Sequence, residues 1–227
     1  FLRALPAARA ADVLEYLDEE LRSELLEAMS TEQAVALVSE MTPDDRADIL
    51  EELEEETADE ILQDLPEAER QETERLLQYD ADSAGGLMTT EFVSVSRDLT
   101  SEEALVLVRV AARSGRKEAM HAIYVTDDRG SVVGVMSLRE LVAAAEDSKV
   151  ADLAWTEVVK VPATADRAEV ARITSEYDLV AVPVVDAFDR IIGVITVDDV
   201  IDAIVEEQTE DVQKLGAVQP LEEPYFT

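Results

Sequence analysis

Carboxylates lie on one side of a predicted helix that begins near residue 198. At about 100° per residue, five acidic side chains fall within an arc of about 140°, opposite a set of apolar residues. The five are Asp199, Asp202, Glu206, Glu207 and Glu210. Like charges three or four positions apart cost roughly 0.2 to 0.5 kcal/mol per pair. Such a stripe is either a solvated face that keeps the protein soluble or a surface whose repulsion is offset from outside the helix.

The whole chain is strongly acidic. Its 227 residues carry 53 Asp and Glu against 19 Lys and Arg, a formal net charge of −34. Nucleic acid is therefore not expected as a partner, because binding it requires cationic side chains that displace counterions. An anionic lipid surface would also repel the chain. The charge instead attracts cations or basic proteins, so composition and stripe together favour a metal ion.

Catalysis is not expected from this sequence. The absence of cysteine excludes disulfides, thiolate metal sites and cysteine nucleophiles, and fits a reducing compartment. The single histidine, His121, lacks a paired nucleophile signature, and no phosphate-binding G-x-x-x-x-G-K motif is present. No apolar run reaches the roughly 18 to 20 residues that span a bilayer. We expect a soluble cytosolic polypeptide that is a piece of a longer protein, since it begins at Phe1.

An internal repeat of 12 residues organises the first third of the chain. Its apolar positions are Leu5, Leu17, Met29, Met41, Leu53, Leu65 and Leu77. Most are followed by a residue that starts helices, namely Pro6, Asp18, Ser30, Thr42 and Pro66. Short helices are unstable alone, so we predict that they stack into a superhelix. This all-α domain spans residues 1–78 and carries 24 acidic and 6 basic side chains.

A second repeat follows the small-residue segment 79–86, which we predict as a linker. "AIYVTDDRGSVVGVMSLRELV" and "AVPVVDAFDRIIGVITVDDVI" align without a gap at a separation of 59 residues. Each predicts a strand, a turn, a second strand containing Gly134 or Gly193, and a helix opened by Ser137 or Thr196. Upstream, "LMTTEFVSV" and "LAWTEVVKV" each precede a predicted helix. Residues 87–150 and 151–204 are therefore two copies of one β-α-β-β-α unit.

These two copies resemble cystathionine-β-synthase (CBS) domains, which occur as pairs folded into one disc. "GVITVDD" matches the G-h-h-[ST]-x-x-D signature, whereas "GVMSLRE" has Glu140 at the position of the aspartate. The resemblance implies binding of ATP or another adenine nucleotide. The acidic residue would then hold the ribose and the hydroxyl would lie near phosphate. The implied pairs are Thr196 with Asp199 and, weakened by the departure at Glu140, Ser137 with Glu140.

The order of the segments resembles the cytosolic region of the MgtE family of magnesium channels. "AGGLMT", "VDDV" and "TEDVQKLGA" are the most specific matches. The resemblance implies an α+β fold: an N-terminal all-α superhelix of short helices, a tandem CBS pair, and a C-terminal connecting (plug) helix over 205–227. It further implies a homodimer joined through the CBS domains on the cytoplasmic side of a membrane. The chain's own transmembrane pore domain would follow residue 227, with no direct lipid contact expected.

The same resemblance implies a regulatory role for Mg2+. Mg2+ ions between the N-terminal domain, the CBS domains and the connecting helices would favour a compact, pore-closed dimer. The family pattern puts ligands at Asp178, Asp199, Asp202, Glu207 and Glu210, and "PDDRADI" suggests Asp45 and Asp48 in the N-terminal domain. Mg2+ suits such positions because it prefers oxygen ligands and is commonly held by one or two carboxylates.

Two other functions stay open on the sequence. In one, the CBS pair is a nucleotide-binding regulatory module, and Asp199 holds a ribose instead of Mg2+. In the other, the chain is an acidic helical scaffold without ion sensing. Its helical array would be a docking platform, and its carboxylates would only keep the protein soluble.

Overall fold

The computed structural model describes residues 5–113, 122–201 and 203–204. The N-terminal part consists of short helices: α1 (Ala7–Glu15), α2 (Glu19–Glu27), α3 (Thr31–Val38), α4 (Pro43–Glu52), α5 (Glu55–Asp64) and α6 (Glu67–Leu76). Each begins two residues after a repeat position, from Leu5 to Leu65. Helices pack on the next but one along the chain, α1 on α3, α2 on α4, α3 on α5 and α4 on α6. The predicted superhelix of short helices is confirmed.

Local sequence explains where these helices start. Asp18 accepts a hydrogen bond from the backbone N–H of Leu21, and Ser30 forms a capping box with Gln33. The repeat positions fill the space between the helices: Met41, Leu53 and Leu65 are buried in one core that α1 to α5 share. Burial of these side chains therefore supplies the stability that the isolated helices lack.

The second part of the chain contains two three-stranded sheets. The first copy comprises β1 (Val93–Ser96), α7 (Ser101–Arg113), β2 (Ile123–Thr126), β3 (Val132–Met136) and α8 (Leu138–Ala143). After α9 (Val150–Leu153), the second copy comprises β4 (Val161–Pro162), α10 (Arg167–Glu176), β5 (Ala181–Val185) and β6 (Ile191–Thr196). Helix α11 follows, described over 197–201 and 203–204. In each sheet the first pair of strands is parallel and the second antiparallel. The predicted α+β fold is confirmed.

Gly134 and Gly193 have the same role in the two copies. A Cβ atom on Gly193 would lie 2.8 Å from the carbonyl oxygen of Thr89, and one on Gly134 would lie 3.2 Å from that of Trp155. Thr89 and Trp155 each form an isolated bridge to the strand beside them. Each glycine therefore lets the entry segment of the other copy cross its sheet at close range.

Segment 79–86 is paired to the second CBS copy. The N–H groups of Ala84 and Gly85 donate to the carbonyl oxygens of Ala165 (2.7 Å) and Ala163 (2.9 Å). The N-terminal domain also contacts this copy directly, because Ala47 of α4 and Leu76 of α6 share a core with Val200 of α11. Helix α4 thus lies against the start of α11.

Candidate metal centre

The contact between α4 and α11 brings acidic residues together. Asp44, Asp45 and Asp48 belong to the first two turns of α4, and Asp199 to the first turn of α11. Ala47 of α4 and Val200 of α11 belong to one apolar core, which holds the two helices in place. The charges that raise the pKa of Asp44 and Asp199 come from the other helix as well as their own. The interface therefore joins an acidic surface of the N-terminal domain to one of the CBS pair.

Asp44 is the most buried carboxylate of this interface. It is 8% exposed, and its Oδ1 has no hydrogen-bond partner among the residues that the structure describes. Burial, followed by repulsion from Asp45 and Asp199, raises the pKa of Asp44 well above its ordinary value. A buried carboxylate oxygen without a donor is costly, so this position favours a proton or a cation.

Asp45 and Asp48 lie beside Asp44 on α4. The hydroxyl of Thr42 donates to Oδ2 of Asp45 at 2.6 Å, instead of capping the helix backbone. Desolvation by the surrounding protein, then repulsion from Asp45, raises the pKa of Asp48 to about 7. Glu51 and Glu52 act in the same direction, although the side chain of Asp48 still reaches solvent. Both carboxylates therefore add negative potential at the edge of the buried site.

Asp199 has two roles at the start of α11. Its Oδ2 accepts hydrogen bonds from the backbone N–H of Thr196 (3.2 Å) and from the Thr196 hydroxyl. Burial raises the pKa of Asp199 to about 6; the Thr196 hydrogen bonds lower it, and Asp198 and Asp45 raise it further. The same carboxylate thus bonds back to the start of the helix and faces the acidic turn of α4.

The other predicted ligands lie elsewhere. Asp178 is exposed after α10 and has a left-handed backbone, with φ of 50°. It lies near the start of α11, since the carbonyl of Val180 accepts from the N–H of Val197 at 3.0 Å. Asp202, Glu207 and Glu210, like Glu206 of the stripe, lie outside the described residues. Over 5–113, 122–201 and 203–204, no group of three His, Cys, Asp or Glu residues could hold a metal ion. The acidic interface still suits Mg2+, which commonly uses one or two carboxylates and keeps its waters.

Sequence reasoning singled out Asp45 and Asp48 but missed Asp44. One signal was available, because Asp44 and Asp48 are four residues apart and therefore share a face of α4. The burial of Asp44 could not be foreseen from α4 alone, since its neighbour Asp199 comes from the other domain.

The predicted nucleotide residues form two similar capping arrangements. In the first copy, the backbone N–H and the hydroxyl of Ser137 donate to Oε2 of Glu140 at 2.8 and 2.9 Å. The indole N–H of Trp155 donates to Oε1 of Glu140 at 2.7 Å, and these contacts lower the pKa of Glu140. In the second copy, Thr196 and Asp199 repeat the capping contacts. Helix α4 lies near Asp199, whereas Trp155 contacts Glu140 in the first copy. The two sites therefore differ in what lies against the acidic residue.

No helix in the described part of the chain is long and apolar enough to cross a membrane.

Comparison with known protein families and curated relatives agrees with this architecture. The family model of the MgtE intracellular N domain matches residues 1–82, and the CBS domain model matches 84–147 and 150–206. The magnesium transporter MgtE of Thermus thermophilus is 46% identical over 149 residues, covering 66% of this chain and 33% of that protein. The magnesium transporter MgtE of Bacillus subtilis is 34% identical over 217 residues, covering 96% of this chain and 48% of that protein. The chain thus spans about half or less of the length of these relatives.

Solved structures agree as well. The soluble part of a magnesium transporter superposes with a TM-score of 0.84 at 33% identity, covering 91% of this chain and 80% of that one. The cytosolic domain of the Mg2+ channel MgtE in complex with ATP gives a TM-score of 0.84 at 39% identity, covering 88% and 82%. The chain therefore belongs to the MgtE family, of which it carries the intracellular N domain followed by a pair of CBS domains.

Proposed function

We propose that this chain is the cytosolic Mg2+-sensing and gating region of a magnesium channel or transporter. The observation that carries the proposal is the buried carboxylate of Asp44, whose Oδ1 lacks a donor among the described residues and which faces Asp199 across the domain contact. The relatives named magnesium transporters support the choice of ion.

Repulsion across the interface sets the direction of the response. Asp44 and Asp45 of α4 approach Asp199 of α11, and the like charges disfavour ionisation of Asp44 and Asp199. At neutral pH, with no cation, these carboxylates therefore oppose docking of the N-terminal domain on the CBS pair. A bound Mg2+ supplies the positive charge that offsets this repulsion. The apolar core that Ala47 shares with Val200 then favours the docked arrangement.

Several weak sites give a steep response. Asp44 and Asp199 would hold one ion that keeps most of its waters, with Asp45 and Asp48 at the rim, and further ions would bind at the predicted ligands Asp178, Asp202, Glu207 and Glu210. If four sites form only in the closed state, each at ten times its dissociation constant, each contributes about 1.4 kcal/mol and together roughly 5.7 kcal/mol. That is about the free energy that takes an equilibrium from 1:99 to 99:1.

The proposal includes two partners. One partner would be a transmembrane pore domain that follows α11, as the transporter relatives suggest. The chain described here would then lie on the cytoplasmic side of the membrane. A second copy of the chain would join through the CBS domains. In support of the dimer, α7 exposes three apolar side chains, Val106 (51%), Leu107 (46%) and Val110 (62%), which a partner would cover.

Calorimetric titration with Mg2+ tests the proposal. We expect the wild-type chain to bind Mg2+ and the Asp44→Asn and Asp199→Asn variants to bind it more weakly. Asp128→Asn, which removes an exposed carboxylate in the turn between β2 and β3, is the matched control and should bind as the wild type does. Equal binding by all four proteins would refute the assignment of the site.

A nucleotide site is a second candidate, favoured by the relative whose cytosolic domain was solved with ATP. The residues that would take part in the first copy are Ser137 and Glu140, with the indole of Trp155 beside them. Equilibrium dialysis with ATP tests this, with Glu140→Gln as the variant. Binding that is unaffected by the substitution would rule out this site.

A further inference from the structure

Arg167, the first residue of α10, connects two parts of the chain that are distant in sequence. Its Nη1 donates to the carbonyl oxygen of Ala203 in α11 at 3.3 Å. Its Nη2 donates to Oδ1 of Asp82, in the segment that joins the N-terminal domain to the CBS pair. Its backbone N–H donates to the carbonyl oxygen of Asp82 at 3.0 Å. One side chain therefore contacts the incoming segment and the outgoing helix.

The position of Arg167 within α10 does not explain its presence. The N-terminus of a helix carries partial positive charge, which disfavours a cation in the first turn. Asp166 caps α10 through the N–H of Glu169, so the helix start does not need Arg167. The Nε of Arg167 is buried without an acceptor among the described residues. The contacts with Asp82 and Ala203 therefore explain why an arginine occupies the first position of α10.

The residue that Arg167 reaches on α11 lies next to the candidate metal centre. Ala203 is one helical turn after Asp199, so a contact to its carbonyl fixes the orientation of the helix that presents the carboxylate. Asp82 precedes Ala84 and Gly85, which pair with the CBS copy. Movement of the N-terminal domain must pass through this segment, because it is the covalent connection between the two domains.

We propose that Arg167 is a positioning residue that couples segment 79–86 to α11, so that docking of the N-terminal domain is transmitted to the outgoing helix. The coupling role rests on the proposed function, whereas the contact itself does not. The guanidinium is a permanent cation. It therefore supplies a positive charge at this junction, and it does so at any Mg2+ concentration.

Hydrogen exchange measured by mass spectrometry on the whole chain tests the proposal. Arg167→Gln removes the positive charge and one of the two hydrogen-bonding groups. Arg167→Lys keeps the charge, but its single amino group cannot bond to Asp82 and Ala203 in the way the two guanidinium nitrogens do. Arg172→Gln is the matched control, since Arg172 lies on the same helix and forms an exposed, local salt bridge with Glu176. Peptides covering α4 and residues 197–204 are followed without Mg2+ and over a Mg2+ titration.

Without Mg2+, we expect Arg167→Gln to accelerate exchange in 197–204 on the order of tenfold, the factor for losing one charge-assisted hydrogen bond. Arg167→Lys should lie between this value and the wild type, and Arg172→Gln should match the wild type. On adding Mg2+, protection of α4 should keep its wild-type midpoint in Arg167→Gln, while protection of 197–204 should be largely lost. Uniform acceleration over all peptides, or wild-type exchange in 197–204, would overturn the proposal.

Asp82→Ala provides a second variant if Arg167→Gln does not fold, because it removes the oxygen that accepts from Arg167. Asp82 is an exposed residue, so its substitution should leave the fold intact and reproduce the selective acceleration in 197–204. Wild-type exchange in Asp82→Ala would contradict the proposal. If the wild-type chain shows no response to Mg2+, the proposed function fails, but the comparison without Mg2+ still decides whether Arg167 positions α11.

Discussion

Replacing Asp199 with Asn separates the structural role of this residue from its charge. The substitution is nearly isosteric, and the amide oxygen can still accept both hydrogen bonds that Thr196 donates. The start of α11 should therefore remain intact. What disappears is the negative charge that faces Asp44 and Asp45 of α4.

The structure gives the size of the effect. Burial and repulsion raise the pKa of Asp199 from 3.8 to about 6, which corresponds to about 3 kcal/mol against the ionised form, at 1.36 kcal/mol per pKa unit. Part of this cost arises within α11, because Asp198 contributes. We therefore expect Asp199→Asn to stabilise docking of the N-terminal domain by about 1 to 3 kcal/mol at pH 8 without Mg2+. Such a change shifts the docking equilibrium by roughly 5-fold to 160-fold.

The assay is hydrogen exchange of α4 and α6 peptides at pH 8 with and without Mg2+. Asp199→Asn should raise protection without Mg2+ and reduce the further protection that Mg2+ provides. Asp198→Asn is the control, since Asp198 is exposed and its substitution removes one charge from the same turn. If both variants behave as the wild type in protection and in response to Mg2+, repulsion between α4 and Asp199 does not control docking.

Three further perturbations have defined outcomes. Burial and the charge of Asp45 on α4 raise the pKa of Asp199 to about 6, so protonation of Asp199 favours the docked state. Docking without Mg2+ should therefore be strongest below about pH 4 and weaken as the pH rises through about 6; scattering that shows the opposite trend between pH 5 and 8 would contradict this. Arg46→Met should destabilise the N-terminal domain by about 2 to 4 kcal/mol in urea unfolding, because buried Arg46 donates to the carbonyl oxygens of Val38 and Met41; a loss below about 1 kcal/mol would argue against this role. Val110→Glu should convert a dimer into a monomer by light scattering at tens of micromolar, and a persistent dimer would place the interface away from α7.

The architecture could be predicted from the sequence because it is repetitive. A 12-residue period located the helices through positions such as Met41 and Leu53, since a short helix must bury the same position in every repeat. The offset of 59 residues located the sheets, because Gly134 and Gly193 permit the same close crossing. Local patterns of this kind do not depend on the distant parts of the chain.

The site could be predicted only in part, because contacts between domains create it. The burial of Asp44 depends on the docking of α4 against α11, which no local pattern encodes. Composition suggested a linker at 79–86, since small residues leave a chain unconstrained, yet Ala84 and Gly85 pair with the second CBS copy. The contact of Trp155 with Glu140 depends in the same way on how the two copies cross.

Small-angle scattering of the chain during a Mg2+ titration tests the central claim most directly, with K+ at matched ionic strength as the reference. If carboxylates at the interface of α4 and α11 bind Mg2+, the radius of gyration should fall over the millimolar range of Mg2+ and change much less with K+. Simple screening depends on ionic strength and not on the identity of the cation. Equal compaction by Mg2+ and K+, or none by either, would contradict Mg2+ sensing by this protein.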